Sequence, residues 1–187
     1  MKLKTGIILS IFLIAFSCDK NEEVQVGEIT EISQEEIENR IDMAPGFAFN
    51  SVNGSQVSLE DLKGKFVYID IWATWCRPCI MQIPTMKEVE QIYKDKDIEF
   101  VSISIDSERD KPKWKKMIGE KQMGGIQLFA GRDQAFTTNY KVSTIPRFVL
   151  IGKQGELLDA NAPRPLNHAT NGVNQELLSL FDRLLEE

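Results

Sequence analysis

Two cysteines stand two residues apart in the run Trp72-Ala73-Thr74-Trp75-Cys76-Arg77-Pro78-Cys79, and Pro84 follows. Ahead of them, Phe66-Val67-Tyr68-Ile69-Asp70-Ile71 is rich in β-branched and aromatic residues and reads as a buried strand. Beyond them the apolar spacing lengthens to that of a helix reaching about Tyr93. The pair therefore sits where a strand gives way to a helix. The free N–H groups and partial positive charge of a helix start stabilise a thiolate. Arg77 adds a full positive charge between the cysteines, and Pro78 falls in the first turn, where its missing N–H costs little. Such a thiolate, with a second thiol one turn on, can attack a disulfide and then resolve the mixed disulfide it forms. Cys76 is the expected attacking thiol, exposed and of lowered pKa. Cys79 is expected to be more buried and to resolve the intermediate. A zinc knuckle is the competing use of such a pair. A closed zinc site needs four ligands, and the chain has no second pair of cysteines. Its one histidine, His168, lies in a late polar stretch and reads as a surface residue without a catalytic task.

The segment WATWCRPC with the later Pro84 resembles the active site of thioredoxin-fold oxidoreductases, most closely the TlpA/ResA-type thiol-disulfide oxidoreductases of bacterial envelopes. The resemblance covers residues 44–187. Asp70 lies six residues before Cys76, where thioredoxins carry a buried aspartate used in proton transfer near the resolving cysteine. Pro84 stands where their helix is kinked. Thr144-Ile145-Pro146 falls where the family has its cis-proline. The resemblance implies that Pro146 is cis and that the Ile145 backbone can pair with an extended substrate segment. It implies a substrate groove at Trp75, Arg77, Pro78 and Ile145. Many TlpA/ResA-type proteins carry glutamate three residues after the second cysteine. Here that position is Gln82, which can hydrogen-bond but cannot titrate, so any tuning of the thiols from position 82 is altered.

At the start of the chain, Lys2 and Lys4 precede the apolar run from Gly6 to Phe16. That run is too short for a mature membrane span and fits a secretory signal. Ala15-Phe16-Ser17-Cys18 resembles a bacterial lipobox, with Ala15 where leucine is usual. Residues 1–17 then form the signal peptide, and Cys18 becomes the lipidated first residue. An ordinary signal peptide that leaves Cys18 a free thiol is the alternative. Three cysteines are an odd number for an exported protein. Lipidation of Cys18 would leave only the Cys76–Cys79 pair.

Residues 19–43 hold nine acidic and two basic residues, whereas 44–187 hold 19 acidic and 18 basic ones. The acidity belongs mostly to a tether over 18–43 and gives no reason to expect nucleic-acid binding. Ser33-Gln34-Glu35-Glu36 could open a short helix as a capping box. A solvated spacer is the other reading. The acidic run after Cys18 also resembles surface-export signals of some Bacteroidetes lipoproteins, so the domain is expected in the periplasm or at the cell surface.

The remaining 144 residues suit one domain. Phe47–Phe49 and Val57–Leu59 flank Asn53-Gly54 and predict a hairpin. Strands are predicted at 66–71, 98–105 and 126–129. Helices are predicted at 110–121 and 133–140, the second capped by Asp133 or by a preceding loop group. Trp114 is expected to pack inward from the first of these, with an exposed substrate platform as the alternative. A second hairpin joins 148–151 to 156–160, and 173–185 has the apolar spacing of an amphipathic terminal helix. The expected class is α/β. It is a thioredoxin-like fold with a central mixed sheet, helices on both faces, an N-terminal hairpin and one inserted helix at 110–121. The segment Ala160–Pro165 either shapes the partner groove with Trp75 and Ile145 or is a rigid surface loop.

These expectations converge on a lipid-anchored, monomeric envelope oxidoreductase that needs no bound cofactor. It would exchange dithiol for disulfide with protein partners, as a reductant resupplied by an upstream thiol donor. A thiol peroxidase of the peroxiredoxin type shares the fold, but its threonine three residues before a lone cysteine is Ala73 here. A non-catalytic lipid-anchored binding module is the third possibility, and two intact cysteines argue against it.

Overall fold

The structure is a computed structural model and describes residues 42–186. The apolar run, Cys18 and most of the acidic tether lie outside the described residues. Asp42 and Met43, assigned by sequence to the tether, already pair with the domain. The Leu157 N–H donates to Asp42 O at 2.8 Å, and Met43 bridges Glu156.

The chain opens with the expected hairpin, β1 (Ala48–Ser51) and β2 (Gln56–Ser58). Gly54 supplies the positive φ of 92° that its turn requires. A 3-10 turn at Glu60–Leu62 leads into β3 (Phe66–Trp72), whose seven residues are all buried. The helix expected to reach about Tyr93, with the kink that the resemblance implies at Pro84, is two pieces, α1 (Arg77–Ile80) and α2 (Ile83–Ile92). Pro84 has no N–H to offer Ile80 O, and the Gln82 N–H turns back to Cys79 O at 3.0 Å. Then come β4 (Ile98–Ser104), a 3-10 turn, α3 (Lys111–Lys121), β5 (Ile126–Phe129), α4 (Gln134–Asn139) and β6 (Arg147–Ile151). Asp133 caps α4 by accepting from the Phe136 N–H at 2.9 Å.

The strand β7 (Leu157–Asp159) completes the second hairpin. A small ribbon, β8 (Leu166–Asn167) with β9 (Gly172–Val173), was not expected. It takes Val173 out of the terminal helix, so α5 runs over Gln175–Glu186, with Asn174 Oδ1 accepting from the Glu176 N–H.

The seven main strands form one mixed sheet in the order β2-β1-β5-β4-β3-β6-β7. The central trio β5, β4 and β3 is parallel, and the flanking pairs are antiparallel. Because side chains alternate across a strand, β3 divides its residues between two cores. Val67, Ile69 and Ile71 pack with Val101, Ile103, Leu128 and Phe136 on the α4 side. Phe66 and Tyr68 pack with Met86, Val89, Leu177 and Phe181 under α2 and α5. Trp72 joins Trp114, Ile118 and Phe129 in a third cluster that also holds both cysteines. Trp114 is fully buried, as expected, and is not a surface platform. The fold is α/β with helices on both faces of a mixed sheet.

Candidate active site

The cysteine turn is held from below by a residue that sequence patterns did not single out. After β3, the Thr74 N–H donates to Asp106 Oδ2 at 2.9 Å and the Thr74 hydroxyl to Oδ1 at 2.8 Å. Ser104 Oγ adds a third donor to the same carboxylate at 2.8 Å. Asp106 is completely buried. Both of its carboxyl oxygens are thereby hydrogen-bonded, the condition under which a buried polar group is tolerated. The alternation of Ser102, Ser104 and Asp106 with Val101, Ile103 and Ile105 was the available signal: one polar face on an apolar strand.

The chain then turns into α1. Cys76 has extended backbone angles and occupies the cap position, with its Sγ accepting from the Cys79 N–H at 3.2 Å. The two sulfurs are joined in a disulfide of 1.99 Å with 5.3 Å between the α-carbons. The exposed Cys76 expected from sequence is not seen in this oxidised form, because its sulfur is drawn over the helix start onto Cys79 and into the Trp72 and Trp114 cluster. Cys76 is 5% exposed and Cys79 is 1% exposed. Around the disulfide, Arg77 and Pro78 are exposed, and Trp75 is 62% exposed. The Ile145–Pro146 bond is cis, and half-buried Ile145 packs against the cluster that contains both cysteines. Cys76, Cys79, Trp75, Arg77, Pro78 and Ile145 are thus gathered at one end of the sheet.

Asp70 lies deeper. It is 4% exposed, and its Oδ1 has no hydrogen-bond partner. At that burial it differs from a strand-end aspartate open to bulk solvent. Burial first, and then the neighbouring Glu90 carboxylate, push the Asp70 carboxyl up to about 8. A carboxyl so raised is protonated at neutral pH.

Gln82 is buried in the turn between α1 and α2, and its Oε1 accepts from the Leu166 N–H at 3.0 Å. It therefore clamps the start of β8. The Ala160–Pro165 segment is pinned as well. Tyr68 Oη donates to Pro163 O at 2.6 Å, the Ala162 N–H to Phe148 O at 3.0 Å and Arg147 Nη1 to Ala160 O at 3.2 Å. None of these bonds reaches Trp75 or Ile145. His168 is exposed, as expected. Among the described residues, no three His, Cys, Asp or Glu side chains are grouped to hold a metal ion.

A strand-to-helix CxxC on a mixed sheet, faced by a cis-proline, defines a thioredoxin-like protein. The Redoxin family profile matches residues 41–176, and the chain belongs to that family. Within it the chain is similar to the ResA-type thiol-disulfide oxidoreductases. It is 30% identical over 116 residues to the thiol-disulfide oxidoreductase ResA of Bacillus thuringiensis, across 62% of this chain and 65% of the relative. The chain thus matches just under two thirds of that relative's length. Among solved structures, a protein of Bacteroides vulgatus assigned as a thiol-disulfide oxidoreductase superposes with a TM-score of 0.66 at 33% identity. That match covers 76% of this chain and 94% of the other. A solution structure from the same organism, with the same assignment, gives a TM-score of 0.64 at 42% identity, covering 75% and 89%.

Proposed function

We propose that the chain is a thiol-disulfide oxidoreductase that passes electrons between its Cys76–Cys79 pair and protein partners, working as a reductant in the bacterial envelope. The observation that carries this is the Cys76–Cys79 disulfide at a helix start, with the Cys79 N–H aimed at Cys76 Sγ. On reduction the same N–H would stabilise a Cys76 thiolate. That, with the deeper burial of Cys79, supports Cys76 as attacker and Cys79 as resolver. Exposed Trp75, Arg77 and Pro78, with Ile145 beside them, are proposed to receive the substrate chain. Asp70 is proposed to exchange protons with the thiols during turnover. The Bacillus relative and the two Bacteroides structures bear names that agree with this chemistry.

The proposed setting adds a lipid anchor on Cys18 after removal of residues 1–17, with a partner thiol protein resupplying electrons. Replacing Cys18 with Ser should release the protein from membranes or block its processing. Membrane retention with normal signal removal would count against the anchor.

The test of function is partner trapping. Cys79→Ser should accumulate mixed disulfides with envelope proteins on non-reducing gels, because the sulfur that normally frees the substrate is missing. Cys76→Ser should not. Equal trapping by both, or trapping by Cys76→Ser alone, would overturn the roles. The wild type should also reduce insulin. If the trapped proteins were newly exported ones awaiting disulfides, the direction would be oxidation instead.

A further inference from the structure

Beneath the cysteines the sheet carries a row of polar side chains that an apolar core does not need. Strand register places Asp70 opposite Ser102, and Ser102 opposite Gln127. The three therefore share one face of β3, β4 and β5, the face covered by α2. With Glu90, Lys87, Ile83 and Met86 of α2 and Met123 and Gly124 of the segment before β5, they line a cavity of about 10 Å³. That is about the space of one water molecule. Two buried acceptors lining it have no protein partner, Asp70 Oδ1 and Gln127 Oε1. The opposite end of Gln127 is fixed, with Nε2 donating to Gly124 O at 2.6 Å.

Glu90 also lines a second, wider surface depression with Lys65, Lys94, Lys96 and Glu99. It therefore borders both the cavity and the solvent-facing depression, as Lys87 and Gly124 do. Its carboxylate lies in space that only a glycine leaves open: a Cβ at position 124 would come within 2.2 Å of Glu90 Oε2.

We infer that Glu90 is the outer member of a proton path that joins Asp70, through one water seated against Gln127 and Ser102, to the solvent. This rests on the proposed function, in which two thiols shed two protons as they become a disulfide. In the path a proton leaves Asp70 for the water, and the water gives one to the Glu90 carboxylate. Glu90 then releases it to the solvent, and no electrons move. Glu90 acts through Asp70 and not on the sulfurs, so it is a positioning and relay residue.

The surrounding charges suit the task. From β3, Glu90 faces Asp70. From its own helix it faces Lys87, whose Nζ is engaged on Lys121 O of α3 at 3.2 Å. From β4 and β5 the cavity receives only the neutral Ser102 and Gln127. Outside, Lys65, Lys94, Lys96 and Glu99 border the mouth. Burial, opposed by Lys87, pushes the Glu90 carboxyl up to about 7, close to the value of about 8 for Asp70. Two acids so matched can exchange a proton near neutral pH without a large uphill step.

The experiment uses the full-length protein with carboxyl carbon NMR titration of Asp70 in the oxidised state, alongside the pH profile of insulin reduction. In Glu90→Gln the Asp70 midpoint should fall by about half a unit or more, because a like charge is removed. Insulin reduction should slow by about tenfold, with the profile displaced. Glu90→Asp should recover part of the rate. Gly124→Ala displaces only the flexible end of Glu90, keeps the carboxyl in the protein, and should reproduce the slowing. An active wild type with unchanged profiles in Glu90→Gln and Gly124→Ala would overturn the path. So would a moved Asp70 midpoint with an unchanged profile, which would reduce Glu90 to an electrostatic neighbour. A wild type that fails to reduce insulin while its Asp70 midpoint still follows Glu90 would overturn the proposed function and leave the Asp70–Glu90 linkage standing.

Discussion

Replacing Asp70 with Asn should remove a pH dependence of stability that runs against the usual carboxylate pattern. Burial and Glu90 raise the Asp70 carboxyl from 3.8 to about 8. Below about pH 4 both folded and unfolded chains hold this proton, and the group adds no slope. Between about pH 4 and 8 the folded state holds it and the unfolded state has lost it. Folding then becomes less favourable by about 1.4 kcal/mol per pH unit. The stability is fully present at acid pH and is lost as pH rises through the folded value. Over the window the loss is on the order of 5 kcal/mol. Asn has nearly the same shape as the protonated acid and cannot ionise. Urea denaturation of the oxidised wild type and of Asp70→Asn at about pH 4, 6, 7 and 9 should therefore give curves that diverge with pH. The variant should be the more stable at alkaline pH, and the difference should grow by several kcal/mol. A constant difference across the range would refute the burial argument and show that the carboxylate is as well solvated in the folded chain as in the unfolded one.

Asp106→Ala should cost about 3 kcal/mol in urea denaturation, because it strands the buried Thr74 N–H and removes a charged acceptor from two hydroxyls. It should also slow insulin reduction by loosening the cysteine turn, and an unchanged rate would show that the turn is held elsewhere. Gln82→Glu should raise the pH at which thiolate absorbance appears, since a carboxylate near the pair opposes a thiolate. Superimposable curves would show that position 82 acts only as the clamp on Leu166.

The parts of this molecule visible in sequence are those written within a few residues. The strand before the cysteines, the helix start at Cys76, the break before Pro84, the Asp133 cap and the two hairpins each rest on a local pattern. Asp70 was visible because one acid interrupts an apolar run. The unseen parts join distant positions. Asp106 meets Thr74 across 32 residues, and Gln82 meets Leu166 across 84. Glu90 looks in sequence like any acid on an amphipathic helix, and only the packing of α2 over Asp70 and Gly124 gives it an inward role. The β8–β9 ribbon has two residues per strand, too few for alternation to register. Val173 was drawn into the terminal helix because its burial fits either element. Cys76 was expected to be exposed because its reactivity was read from charge and helix position, neither of which reports how the oxidised sulfur packs.

The two faces of the sheet are not equally well satisfied, and the difference falls where the chemistry is proposed. Among the described residues, the buried side-chain atoms without a hydrogen-bond partner are Asp70 Oδ1, Trp72 Nε1, Gln82 Nε2, Trp114 Nε1 and Gln127 Oε1. All five belong to the side covered by α1, α2 and α3, beneath or beside the disulfide. The opposite core, around Ile69, Ile103, Leu128 and Phe136, is built from apolar side chains and Tyr140, whose hydroxyl donates to Pro45 O. An unsatisfied buried polar group costs roughly 1–3 kcal/mol. In the proposed path one water takes up Asp70 Oδ1 and Gln127 Oε1, which leaves the two indole N–H groups and Gln82 Nε2 without a partner within the protein. Such departures gather where a fold serves something besides its own stability. The gain is a buried acid and polar neighbours within a strand's length of a redox pair.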